Sequence, residues 1–251
     1  MWNPFDFSGK RYIVAGATSG IGRATAVKLS EQGAEVCLLA RNESKMRDTF
    51  QELKGAGHKC YTKDFNEPGG YQEIFDDIVC DGRKIDGLVY TAGIAKILPV
   101  GALSKKNMDE SMTVNLYAFV EMVSLFSKKK YHDKGSVVGV SAISTQYPQK
   151  CQSVYVATKS AMNSIVTSMA IELAKKGIRI NTVMPGSVNT RMLKDAYEGK
   201  TEEEIQRIFG RQVLGLAEAG DIADVIMFLL SDAAKAVTGR AMYADAGYIN
   251  F

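Results

Sequence analysis

Seven short runs rich in apolar and β-branched residues punctuate the chain: RYIVAGA (11–17), AEVCLLA (34–40), HKCYTKD (58–64), IDGLVYTAG (85–93), GSVVGVSA (135–142), IRINTVMPG (178–186) and GRAMYADAG (239–247). Most are apolar at alternating and intervening positions alike, which suits strands covered on both faces. Between them apolar residues recur every three to four positions, the spacing of one helix face. These stretches run from Ile21 to Gln32, Glu43 to Lys54, Tyr71 to Cys80, Lys105 to Lys130, Ser153 to Lys176, Glu202 to Phe209 and Asp221 to Leu230.

Strand and helix thus alternate from end to end. That alternation predicts an α/β fold, a doubly wound parallel sheet of about seven strands flanked by helices and joined by right-handed crossovers. With only 5 prolines, no internal repeat and no low-complexity linker, residues 1–251 are expected to form a single domain. One span departs from the rhythm. Ser187 to Gly220 is polar, longer than a connection requires, and punctuated by Gly199, Gly210, Gly215 and Gly220. It is expected to be a lid over the substrate, a plain surface excursion being the alternative.

Composition narrows the classes. With 46% hydrophobic residues the chain can bury a sizeable core. A net charge of +3 is made from 31 basic and 28 acidic side chains spread along the sequence, which gives no electrostatic case for nucleic acid or an anionic membrane. The one dense basic run, Lys128 to Lys130, is expected to be the solvated end of a helix. Cysteines at 37, 60, 80 and 151 form no C-x-x-C pair and stand beside no histidine cluster, so neither a metal site nor a disulfide framework is expected. No basic, then apolar, leader opens the sequence, and no segment approaches the roughly 18 apolar residues of a membrane span. A cytoplasmic protein is the resulting expectation.

Candidate chemistry begins between the first strand and the first helix. The segment IVAGATSGIGRATAVKLSEQG places glycines at 16, 20 and 22. Glycines in such a turn let backbone amides approach a pyrophosphate at the positive end of the following helix. The second strand should then end beside an adenosine ribose. An acidic tip there would bind the 2′-hydroxyl of NAD and repel a 2′-phosphate. Here the strand ends CLLARNES, with Ala40 at the tip, Arg41 next and no carboxylate before Glu43. A guanidinium pairs with phosphate through charge-assisted bonds, so NADP (as NADPH) is expected over NAD.

Tyr155 and Lys159 stand four residues apart on the predicted helix over 153–176, on one face. Alone, a tyrosine packed against a lysine stem is an ordinary surface pair. Together with the glycine loop and the chain length, the sequence resembles the short-chain dehydrogenase/reductase family, in particular its members of about 250 residues such as the 3-oxoacyl-(acyl carrier protein) reductases. GATSGIG at 16–22 is similar to the family's cofactor loop, KDF at 63–65 to the segment that meets adenine, and TAG at 91–93 to its N-A-G motif. VNL at 114–116 carries the family's helix asparagine, NTVMPGSVNT at 181–190 resembles the segment folded over the nicotinamide, and YADAG at 243–247 resembles the closing V-D-G-G.

The resemblance implies a Rossmann-type fold, and a cofactor held by Gly16, Thr18, Ser19, Gly20, Ile21, Gly22, Arg41, Asp64, Phe65, Ala92, Gly93, Tyr155, Lys159, Pro185, Gly186, Val188 and Thr190. It further implies Asn115, Tyr155 and Lys159 as catalytic residues acting on a small carbonyl or alcohol substrate. A homodimer or homotetramer built through the long helices over 105–130 and 153–176 is implied as well. Reducing a carbonyl builds negative charge on oxygen, which calls for a proton donor and a preorganised hydrogen bond there. A phenol with a pKa near 10 is a poor acid–base group at neutral pH. The charge of Lys159, and of an oxidised nicotinamide, would favour the phenolate and bring Tyr155 toward the working range.

The sequence departs from the family at one important place. The serine that binds the substrate oxygen usually lies 13 residues before the tyrosine, and here that position is Ala142. Ser141 lies 14 residues ahead and Ser144 lies 11 ahead. Ser141 is expected to replace it, provided a bulge re-aims a side chain that a one-residue slip turns to the other face. Ser144 is the reserve. Lesser departures are Ala15 for a usual threonine and Tyr90-Thr91 for Asn-Asn. Ala142 also leaves room for a second reading, a catalytically impaired NADP-binding sensor or assembly subunit. A nucleotide-sugar epimerase would be expected to carry a longer C-terminal substrate region, and a methyltransferase would have no use for Tyr155 with Lys159.

Overall fold

The computed structural model describes residues 3–197, 199 and 201–248, with the side chains of residues 196, 197, 204, 207 and 208 outside that description. One sheet organises the chain. Its strands are β1 (Arg11–Ala15), β2 (Glu35–Ala40), β3 (Lys59–Thr62), β4 (Gly87–Tyr90), β5 (Gly135–Val140), β6 (Ile178–Pro185) and β7 (Ala241–Ala244). All pair in parallel, in the order β3-β2-β1-β4-β5-β6-β7. Each lies inside one of the seven apolar runs of the sequence.

Helices cover both faces, which is why β1 and β2 are buried at every position. On one face α1 (Gly20–Glu31), α2 (Glu43–Glu52) and α9 (Ala219–Leu230) close a core around Val14, Leu29, Met46 and Ile226. On the other, α3 (Tyr71–Ile78), α5 (Ala118–Phe126) and α6 (Ser153–Ala174) pack Phe75, Phe119, Phe126 and Met162 against the sheet. The edge strand β3 instead alternates between half-buried and exposed residues, because nothing pairs beyond it.

The stretch from Lys105 to Lys130 is not one uniform helix. It is α4 (Lys105–Met112) and α5, joined by a wide π turn over Thr113–Tyr117 in which the Ala118 N–H reaches back to the Thr113 carbonyl. Helical structure ends at Phe126, so Lys128 to Lys130 occupy the turns beyond it and not the helix end that the sequence predicts. The cause is Tyr131. Its ring is buried, its hydroxyl donates to Asp76 at 2.7 Å, and its carbonyl accepts from Ile85 N at 2.8 Å, so the chain turns inward.

The two edges of the sheet differ in purpose. Where β1 and β2 begin, the Arg11 Nε and Glu35 Oε1 atoms lie 2.6 Å apart with side chains only 2% and 8% exposed. Arg83 pairs with the other Glu35 oxygen at 2.6 Å, and Asp81 with Arg11 at 2.6 Å. The buried Arg11–Glu35 pair holds together because each of its charges is also paired at the surface, by Asp81 and Arg83. It anchors the edge away from the one where the strands end. The strand order reverses between β1 and β4, and crevices for ligands form at the carboxyl ends on either side of such a switch point.

Candidate active site

The loop leaving β1 is shaped by close approach. Gly16 has φ +87°, and a Cβ added there would stand 2.6 Å from Ala92 N, so only glycine lets this loop lie against the one after β4. Thr91 seals the contact, its hydroxyl donating to the Ala15 carbonyl at 2.8 Å. Gly20, at φ +51°, opens α1 with Thr190 Cγ2 3.1 Å from where its Cβ would be. Ser19 precedes the helix without a capping hydrogen bond from its side chain, and no acidic residue stands in the first turn. The leading amides of α1 therefore keep their positive end free of a carboxylate, and a pyrophosphate fits there.

Across the crevice, α6 presents Tyr155 and Lys159 one turn apart. The Lys159 ammonium lies 5.9 Å from the Tyr155 ring centroid and donates to the Val140 carbonyl at 2.7 Å. Lys159 is buried, and desolvation of its charge pulls its pKa down to about 8. Burial acts on Tyr155 in the opposite sense and pushes it up to about 12, although part of its surface stays open. At neutral pH the pair is thus a neutral phenol beside a largely protonated amine.

Asn115 sits in the π turn, fully buried. Its Oδ1 accepts from Ile94 N at 2.8 Å, and its amide nitrogen donates to the Ile94 carbonyl at 3.0 Å and to Thr158 Oγ1 at 2.9 Å. Both amide hydrogens are spent on the protein. Asn115 therefore works by holding the loop after β4 against α6, and its side chain is not among those lining the cavity.

The serine question has a geometric answer. Val140 pairs with Val183, and the ladder runs on as Ser141 N donates to the Val183 carbonyl at 2.7 Å. No bulge intervenes. Ser141 consequently turns toward α6, where its hydroxyl donates to the Lys159 carbonyl at 3.2 Å. Ser144 lies in the short turn Ile143–Thr145, and its Oγ is buried without a hydrogen-bond partner. Of the two hydroxyls, Ser144 carries the one still to be satisfied.

All these elements converge on one cavity of about 390 Å³. Apart from Asn115, every site residue predicted from the sequence lines it: Gly16, Thr18 to Gly22, Arg41, Asp64, Phe65, Ala92, Gly93, Ser141, Tyr155, Lys159, Pro185, Gly186, Val188 and Thr190. Ala95 and Ile97 from the loop after β4, Ile143, Tyr147 and Gln149 from the loop after β5, and Met192 and Leu193 from the lid also line the cavity.

Several lining residues escaped the sequence reading. Gln152 and Tyr248 line the cavity, Tyr248 brought there by stacking on Tyr147 with ring centroids 5.4 Å apart. A helix, α7 (Arg191–Tyr197), starts the lid, and α8 (Glu202–Phe209) follows. Buried Gln212 ties the lid's two ends: its Oε1 accepts from Ser187 N at 2.6 Å and its Nε2 donates to Gly215 O at 3.0 Å. A second, more open recess at the ends of β2 and β3 joins Arg41 and Asn42 to Lys63, Asp64 and Glu67. Lys63 is there because Ala40 pairs with Thr62, a register that the local sequence does not carry.

A parallel sheet with a glycine turn at its switch point and a Tyr–Lys pair across the crevice defines a nicotinamide-dependent oxidoreductase. The family model described as enoyl-(acyl carrier protein) reductase matches residues 16–249, and the chain belongs to the short-chain dehydrogenase/reductase family. It is 32% identical over 249 residues to the L-rhamnose 1-dehydrogenase (NAD(P)(+)) of Sphingomonas sp. (strain SKA58), covering 96% of this chain and 97% of the relative. It is 28% identical to the L-xylulose reductase of Caenorhabditis elegans, covering 98% of each. A short-chain type dehydrogenase/reductase from Mycobacterium ulcerans superposes with a TM-score of 0.88 at 27% identity, over 96% of this chain and 90% of that one. These relatives make the protein an NAD(P)-dependent oxidoreductase acting between alcohols and carbonyls. No helix among the described residues is long and apolar enough to cross a membrane.

Proposed function

We propose that the protein interconverts a carbonyl and a secondary alcohol with NADP(H), with Tyr155 exchanging the proton at the substrate oxygen. The observation that carries this is the placement of half-buried Tyr155 and buried Lys159 side by side in the wall of the cavity that the glycine loop opens. Ser19 to Ile21 would hold the pyrophosphate, and Asp64 would meet the adenine. Arg41 and Lys63, both lining the recess at the ends of β2 and β3, would hold a 2′-phosphate. NADPH bound there supplies the hydride.

The residues of the chain do the rest. Raised to about 12, Tyr155 stays a neutral donor at physiological pH, the form that reduction needs. The positive charge of Lys159 favours the phenolate left behind. Ser144, with its unpaired buried hydroxyl, donates the second hydrogen bond to the developing alkoxide, a role that Ser141 gives up by bonding to Lys159 O. Ala142 would support an inactive cofactor sensor, but a free hydroxyl two residues on favours catalysis.

The test is NADPH consumption over a panel of ketones and aldehydes. Tyr155→Phe is expected to lower kcat by at least roughly 100-fold, the range for losing a positioned acid, while NADPH binding by fluorescence titration persists. Equal turnover by wild type and Tyr155→Phe would remove Tyr155 from the reaction. NADPH binding with no turnover by wild type on any carbonyl would support the sensor.

A further inference from the structure

The cavity carries polar groups that the protein leaves unmatched. Gln152 stands at the start of α6, three residues before Tyr155. It lines the cavity, and its Oε1 is buried with no hydrogen-bond partner. Ser144 Oγ is in the same state and lines the same cavity. Reduction accounts for Ser144, because the reacting oxygen takes a second hydroxyl donor beside Tyr155. It does not account for an amide oxygen, which only accepts hydrogen bonds and is costly to bury unless a ligand brings a donor to it.

A flat aromatic surface adjoins these groups. Tyr147 and Tyr248 stack with an interplanar angle of 29° and both line the cavity. Arg211 fixes the pair from behind, donating to the Tyr248 hydroxyl at 3.1 Å with its guanidinium 5.9 Å from the ring. An acyl chain would suit the aromatic rings and leave Gln152 Oε1 stranded. A ligand with hydroxyls on one edge and C–H bonds on a face satisfies both.

We infer that the substrate is a polyhydroxylated carbonyl compound, a sugar or sugar-derived ketone, one of whose hydroxyls donates to Gln152 while Tyr147 and Tyr248 cover its C–H face. This rests on the oxidoreductase reading of the same cavity. Gln152 then selects the substrate, and Tyr155 reduces it.

The experiment compares a ketopentose with 2-pentanone, two five-carbon ketones with and without hydroxyls, as substrates with NADPH. Wild type is expected to favour the ketopentose in kcat/KM by at least about ten-fold. Gln152→Met keeps the side-chain length without the acceptor, and it should lower the ketopentose/2-pentanone ratio roughly two- to ten-fold, the worth of one neutral hydrogen bond, mainly through KM. Gln152→Glu keeps an acceptor of the same length and should retain most of the preference. Calorimetric titration of the ketopentose into protein saturated with NADP+ gives an independent readout, and Gln152→Met should weaken that affinity by a similar factor.

The inference is overturned alone if wild type turns over 2-pentanone as well as the ketopentose, or if Gln152→Met changes both ketones alike. If NADPH binds and wild type reduces other carbonyls of the panel but not the ketopentose, the inference falls alone; if it reduces no carbonyl at all, the catalytic reading of the cavity falls and takes the inference with it.

Discussion

Replacing Ser141 and Ser144 by alanine one at a time should move stability and activity in opposite ways. Ser141 Oγ makes a buried 3.2 Å hydrogen bond to the Lys159 carbonyl inside α6. Its removal costs about 0.5–1.5 kcal/mol, or about 1–6 °C in Tm for a chain of this size. Ser144 Oγ is buried and unpartnered, so deleting it from the cofactor-free protein removes an unmet polar group and should leave Tm unchanged or raised. In turnover the order reverses. Losing a donor to a developing oxyanion costs about 100- to 1,000-fold in kcat, which falls on Ser144→Ala, whereas Ser141→Ala should keep activity within about three-fold of wild type. The assay is thermal unfolding of both variants alongside steady-state NADPH oxidation on the best carbonyl found for wild type. A Ser141→Ala variant that is inactive yet as stable as wild type, beside a Ser144→Ala variant with full activity, would refute the assignment of the two hydroxyls.

Two further outcomes follow from charges at the site. Lys159 has its pKa depressed from 10.5 to about 8 by burial; between those values the unfolded chain holds a proton that the folded one has released, so stability rises with pH across the window and is lost as pH falls through 8. Lys159→Met should therefore be more stable than wild type at pH 7 by up to about 3 kcal/mol and flatter between pH 8 and 10, as read by urea unfolding; a variant no more stable at pH 7, with an unchanged slope, counts against the burial argument. Arg41→Ala should weaken NADPH binding about 10- to 100-fold, the worth of a hydrogen bond to a charged group, and leave NADH binding nearly unchanged in fluorescence titrations. Equal losses for both cofactors would mean that Arg41 does not read the 2′-phosphate.

The chain itself determined what is periodic or local. Seven runs became seven parallel strands, and the signature is unbroken where, as in β1 and β2, residues are buried on both faces. The glycine turn was legible because close backbone approach admits only glycine at Gly16. Tyr155 and Lys159 were legible because four residues make one helical turn. Tertiary structure alone decided where non-repeating side chains point. The ladder bond from Ser141 N to the Val183 carbonyl sends the Ser141 hydroxyl into α6, while Ser144 beyond the strand stays unpaired. The β2–β3 register brings Lys63 to Arg41, and the stack with Tyr147 carries Tyr248 into the cavity. The burial of Tyr131 ends the helical run before the lysines that the sequence had placed at its tip. In each case the deciding contact joins segments distant in sequence, where no local period records the direction of a side chain.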